Sequence, residues 1–216
     1  MTAIAPSRRS DRQAGVGCGM EQFHHPRPVC TGRGSATRPT LQRERLTAGL
    51  AGRVVELGAG DGVKLTCFPP AVDEIVVIEP DAFLRAAAAQ VAAALPRRVS
   101  ITAGRLDRLP LADASCDAVV CSLVLCCAPV ERTLAEARRV LRPGGQLRFY
   151  EHVRSASPVL AFAEVLVSPL WSRAAGGCRP GREPVTAIAA AGFTLENLER
   201  FSFRHVSHVL GTAVKA

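Results

Sequence analysis

The chain has 216 residues, 48% hydrophobic and 21% charged, which suits one globular domain with a sizeable core and excludes both bulk disorder and a second full domain. Its formal charge of +8 does not mark a nucleic-acid-binding face: the first 46 residues hold eight Arg against Asp11, Glu21 and Glu44 and so carry +5 of it. The 170 residues that follow are nearly balanced, whereas a recognition face would need cations clustered on the fold itself.

Residues 1–37 show neither helical nor strand periodicity and read as a disordered basic tail before a domain spanning 38–216; Met20 is an alternative start. The opening residues lack the apolar run of a secretory leader. No stretch reaches the length of a spanning helix, since the richest one, 158–171 (PVLAFAEVLVSPLW), is interrupted by Glu164 and Pro169. A cytoplasmic protein is expected, with peripheral membrane contact at most. Within the domain, Leu41, Leu46 and Leu50 predict a helix over 39–50. Strands are predicted at 53–58, 74–79, 98–102, 117–123, 145–151, 199–205 and 208–215, and helices at 81–95, 131–141, 158–174 and 183–191. Strands apolar on both faces that alternate with helices imply a parallel sheet covered on both sides. The last two are joined too tightly for anything but an antiparallel pair. The expected fold class is therefore α/β: a Rossmann-like, doubly wound, mostly parallel seven-stranded sheet ending in an antiparallel hairpin, with helices on both faces.

The eight cysteines have no CxxC pair, and Cys121, Cys126 and Cys127 form C-x4-CC, which fits no familiar zinc spacing. They read as small, reduced core residues, and no metal site is expected.

The first strand runs into V-V-E-L-G-A-G-D-G, with glycine at 58, 60 and 62. A dinucleotide turn needs G-x-G-x-x-G, and Val63 stands where its third glycine belongs. A Walker loop needs Gly-Lys-Ser/Thr, which GVKLT does not supply. Glu56 and Asp61 put negative charge where a phosphate would be repelled and an ammonium or sulfonium welcomed. Glu79, twenty-one residues beyond Gly58, ends the second strand where a carboxylate can accept both ribose hydroxyls of a nucleoside.

E-L-G-A-G-D-G, I-E-P-D, LPLADASCDAVVCSLVLC and RVLRPGG together resemble a class I S-adenosylmethionine-dependent methyltransferase over roughly residues 40–216. The chain is similar to the ubiquinone/menaquinone-type C-methyltransferase-like group, and more so to small-molecule thiol methyltransferase-like proteins. The narrower likeness rests on Phe68-Pro69-Pro70, LVLC at 123–126, Glu151-His152-Val153, Gly177-Cys178 with Arg182, and the closing G-x-A-V-K. The resemblance implies S-adenosylmethionine as cofactor and a small-molecule acceptor. It implies that Gly58, Ala59, Gly60 and Gly62 line the methionine portion, with Glu56 and Asp61 near its ammonium, and that Glu79, followed by Pro80, binds ribose. It also implies that Arg105 and Leu106 border adenine and that Ser122 and Leu123 face the methyl group. The chain departs from the family's adenine-side G-D-A-E, reading Gly104-Arg105-Leu106-Asp107, and its leading segment PVCTGRGSATRPT is short and irregular.

Methyl transfer from a sulfonium needs alignment and exclusion of water, with a base where the nucleophile is a thiol or phenol. His152 and Asp107 are the candidate bases, each with a plain structural alternative. The stretch 158–182 is expected to form a lid and an apolar acceptor pocket through Leu160, Phe162, Val165, Leu166, Leu170 and Trp171, while Tyr150 packs beneath. A nicotinamide reductase fails on the third glycine and, with one tyrosine, on Tyr-x-x-x-Lys. A nucleic-acid base methyltransferase fails on CSLVL, where Asn/Asp-Pro-Pro-aromatic belongs. A non-catalytic binding protein of the same fold stays open.

Overall fold

Strand β1 (Gly52–Leu57) sits inside a seven-stranded sheet because its residues are apolar on both faces and have to be covered twice. The computed structural model describes residues 40–155, 157–174, 178–179, 181–203 and 206–216; the expected tail, 1–37, and Met20 lie outside them. Helix α1 (Leu41–Thr47) precedes β1, and a short 3₁₀ helix (Val63–Cys67), β2 (Val72–Ile78), α2 (Ala82–Ala92) and β3 (Arg98–Thr102) follow. The second half runs β4 (Cys116–Ser122), α3 (Val130–Val140), β5 (Leu141–His152), α4 (Pro158–Ala174), α5 (Pro184–Ala190), β6 (Phe193–Phe203) and β7 (Val206–Lys215).

The strand order is β3-β2-β1-β4-β5-β7-β6. β1 to β5 pair in parallel, and β7 runs antiparallel between β5 and β6. The order reverses between β1 and β4, which makes the carboxyl ends of these two strands the place where a ligand is received. Alternate residues serve opposite faces. Val55 and Leu57 pack with α3 and α5 through Leu134, Ala137 and Ile188. Val54 packs with α1, the 3₁₀ helix and α2 through Leu46, Leu65 and Ala88. The expected architecture is the observed one.

Some boundaries differ. β5 starts at Leu141 rather than 145, since Leu141 already pairs with Cys116 before the register shifts and resumes at Gln146 opposite Ala118. β6 starts at Phe193 rather than 199 because β7 offers a partner along its whole length, from Phe193 opposite Lys215 onward. Residues 204–205 of the expected hairpin lie outside the described residues. Helix α1 is shorter than expected: Thr40 caps it, and Gly49 at φ 73° turns the chain away. No helix among the described residues is long and apolar enough to cross a membrane.

Candidate functional site

Each of Gly58, Gly60 and Gly62 has positive φ (66°, 59° and 80°), a region that side chains disfavour. The space around them differs. A Cβ on Gly58 would lie 2.9 Å from Val124, and one on Gly62 would lie 2.7 Å from the Ala88 backbone, so that glycine lets α2 pack against the turn. A Cβ on Gly60 would meet nothing within 4 Å. The turn thus opens at Gly60 onto a cavity of about 180 Å³, lined by residues 58–61, Lys64, Leu84, residues 122–124 and Arg43. That volume is below the ~300 Å³ of a small-molecule site. A larger cavity of about 890 Å³ lies between α3 and α5, and no glycine of the turn lines it.

Glu79 is buried at the end of β2 and ties the strand to the turn. Its Oε2 accepts from the Gly60 N–H at 3.1 Å and its Oε1 from the Asp81 N–H at 3.0 Å. Burial raises its pKa, and the two N–H bonds act against the rise. Arg85 donates to the carbonyls of Glu79 and Pro80 and holds the corner. Asp61 lines the cavity and braces the turn by accepting from the Val63 N–H at 3.2 Å.

Glu56 is placed otherwise than expected. It is fully buried, and its charge is met by Lys64, itself 5% exposed, whose Nζ lies 2.8 Å from Oε1. That approach lies outside hydrogen-bonding geometry, so both carboxylate oxygens of Glu56 are without a hydrogen bond. Its negative charge is therefore compensated inside the protein rather than turned toward a ligand ammonium.

The adenine-side turn carries a second correction. Arg105 donates Nε and Nη2 to the two oxygens of Asp107 at 2.8 and 2.7 Å, and this bidentate pair holds the Asp107 carboxyl below its usual range. Asp107 is a poor base for that reason. Leu106 is buried in the core with Leu109 rather than laid open beside it.

Ser122 ends β4, and Leu123 turns at φ 56° with its N–H on the Tyr150 carbonyl at 2.7 Å. A left-handed leucine costs on the order of 1–3 kcal/mol and persists only where the surroundings impose it. Glu151 is what imposes it. Fully buried, it accepts from the Val124 and Leu125 N–H groups at 3.0 Å and from the Cys126 N–H at 3.4 Å. Burial pushes its carboxyl up to about 7 against those three bonds. In the sequence Glu151 stands only as part of a motif, and its hold on the amides of residues 124–126 has no short-range signature.

His152 follows at the end of β5. Its Nδ1 lies 3.3 Å from the Cys178 Sγ, and its ring is tilted against His208, with 4.7 Å between centroids. Tyr150 packs beneath, stacked with Phe201 and His208, as expected. On α4, Phe162, Val165, Leu166 and Leu170 face solvent, while the side chains of Leu160 and Trp171 and residues 175–177 lie outside the described residues.

Residues 55–149 match the Methyltransferase domain family. Thiol S-methyltransferase TMT1B of Homo sapiens is 35% identical over 194 residues, covering 84% of this chain and 79% of its own. The ubiquinone/menaquinone biosynthesis C-methyltransferase UbiE of Syntrophotalea carbinolica is 28% identical over 176 residues, covering 77% of this chain and 74% of its own. Among solved structures, the [4+2]-cyclase SpnF superposes with a TM-score of 0.67 at 21% identity, over 80% of this chain and 79% of that one, a likeness of fold alone.

Proposed function

This chain belongs to the class I S-adenosylmethionine-dependent methyltransferases, enzymes that here serve small-molecule methylation, and we propose that its acceptor is a small lipophilic thiol. The proposal draws on the relatives named thiol S-methyltransferases. One structural observation carries it: α4 begins six residues after His152 and bears an exposed apolar surface through Val159, Phe162, Leu166 and Leu170. An apolar acceptor is the kind such a surface gathers. Phosphorylated and nucleic-acid acceptors find no clustered cations among the described side chains of α4. The same surface suits a cytoplasmic enzyme in peripheral contact with a membrane.

The residues fit the cofactor. Gly60 leaves open the space that a Cβ would enter, and Asp61 lines the cavity beside it. When bound, the cofactor supplies a methyl group already activated on a sulfonium sulfur. The protein's share is to hold and to align. Gly58, Ala59 and Gly60 border the methionine end, with Asp61 as the carboxylate nearest its ammonium. Glu79 has lone pairs left for ribose hydroxyls after its two backbone bonds. Pro80, Arg105 and Leu106 shape the adenosine side, and Ser122 and Leu123 the methyl side.

Asp107 is engaged by Arg105, and His152 by Cys178. We therefore assign the nucleophile to the acceptor's own ionisation and the catalysis to alignment. The test measures single turnover between about pH 6 and 9 with thiols of graded acidity and with phenols of equal lipophilicity, since free thiols ionise near ~8.5. Thiols should be methylated, with a midpoint that follows each thiol's own pKa. Turnover of phenols alone overturns the acceptor class. A midpoint fixed near ~6.5 for every thiol, and lost in His152→Ala, restores the imidazole as base.

A further inference from the structure

The fold brings together four groups that are scattered in the sequence. Cys126 and Cys127 lie in the loop after β4, His152 ends β5, and Cys178 follows α4. The Sγ of Cys126 lies 3.3 Å from that of Cys127 and 3.5 Å from that of Cys178, and all three sulfurs lie within 4.8 Å of one another. The Nδ1 of His152 is 3.3 Å from the Cys178 Sγ. We propose that Cys126, Cys127, Cys178 and His152 form a site for a closed-shell thiophilic cation, Zn²⁺, which clasps the segment after α4 onto the loop after β4.

The donor set selects the ion. Three thiolates and an imidazole make a Cys₃His shell, which hard cations such as Mg²⁺ or Ca²⁺ avoid. The spacing agrees. Zn–S bonds of about 2.3 Å in a tetrahedron give S···S edges of about 3.8 Å, and with a Zn–N bond of about 2.0 Å the S···N edge is about 3.5 Å. The Cys126–Cys178 and Cys178–His152 separations lie close to these edges, the Cys126–Cys127 pair is tighter, and side-chain movement, above all of the His152 ring toward Cys126 and Cys127, completes the shell. Each thiol that binds gives its proton to solvent, and no redox partner is needed.

The surroundings favour the same occupant. The loop half of the site is rigid, because Glu151 grips the amides of residues 124–126. The incoming segment docks with the Arg179 N–H on the Cys126 carbonyl at 3.1 Å and Arg182 Nη1 on the Leu125 carbonyl at 3.0 Å. The Arg182 guanidinium partly offsets the net negative charge of three thiolates around a divalent ion. A Cys126–Cys178 disulfide would instead require an oxidant that nothing here supplies. Cys178 lies 52 residues beyond Cys126, a spacing with no short-range signature in the sequence.

The full chain, purified with reductant, stripped of metal and kept under argon, is titrated with CoCl₂. The expected result is a thiolate-to-cobalt charge-transfer band that saturates at one equivalent and is bleached by ZnCl₂. Cys178→Ser and Cys126→Ser should each weaken Co²⁺ binding about tenfold or more, and His152→Ala should leave the charge-transfer band while altering the ligand-field bands. Cys67→Ser, remote from the cluster, should change nothing. No saturable band in the parent chain overturns the proposal, as does a band that survives Cys126→Ser and Cys178→Ser together. Isolation of a Cys126–Cys178 disulfide from protein purified without reductant also overturns it. Each readout is independent of methyl transfer, so it stands or falls apart from the acceptor assignment.

Discussion

The Gly60 amide and the Glu79 carboxylate are bonded at 3.1 Å, so the most open point of the glycine turn and the acid at the end of the neighbouring strand form one unit. Removing Glu79 therefore disturbs the turn as well as the proposed ribose site. In Glu79→Ala, two partly buried N–H groups lose this acceptor, at a cost of up to about 1–3 kcal/mol each, partly recovered by water entering the gap. Calorimetric titration should show S-adenosylmethionine affinity down at least ~10-fold, and thermal unfolding a lowered midpoint. An unchanged midpoint with less than a twofold loss of affinity would mean that the bond does no work in either state.

Gly60→Arg acts differently. Nothing lies within 4 Å of the new Cβ, so the core is spared and the side chain enters the cavity. The left-handed φ costs about 1–2 kcal/mol of backbone strain, which a folded domain tolerates. Binding of S-adenosylmethionine should be lost while the circular-dichroism spectrum is retained. A folded variant with parent affinity would remove the turn from the cofactor site.

Glu56 and Lys64 form a buried pair, so cutting one partner should cost far more than cutting both. Lys64→Met leaves an uncompensated carboxylate and should destabilise by about 3–5 kcal/mol. The double variant Glu56→Gln/Lys64→Met should recover most of that. Urea unfolding of the three proteins checks it, and additive losses would show that the two charges are not coupled.

Glu151 makes stability depend on pH in a defined direction. Its folded pKa is raised to about 7, so between the ordinary carboxyl range and pH 7 the folded state holds more protons than the unfolded. Stability from this group is fully present below the unfolded pKa and is lost as pH rises through 7. The loss is on the order of 3 kcal/mol. Urea unfolding at intervals from about pH 5 to 8 should show the decline in the parent and its absence in Glu151→Gln. An equal slope in both proteins would place the titration elsewhere.

The parallel strands were legible because they are apolar on both faces, and the glycine turn because its spacing separates it from phosphate-binding turns. What stayed hidden was pairing over distance. Glu56 reads as a ligand acid until Lys64, on the 3₁₀ helix, folds back beneath it. Asp107 reads as a free acid until Arg105 curls onto it. The first half of β6 alternates too weakly to declare itself and is a strand because β7 lies alongside. The apolar spacing of α4 reads equally as core or lid, and only exposure distinguishes these from the open face it is.

That open face bears on selectivity. The residues after Leu123, which we propose for the methyl side, are held by one buried carboxylate. The exposed side chains of α4 offer apolar area instead of a fixed pocket. If acceptors gather there, they are sorted by how readily they leave water and lose a proton, and a broad, graded range of thiols follows rather than one privileged substrate. Substitutions along α4 would then shift that range while the affinity for S-adenosylmethionine stays where it is.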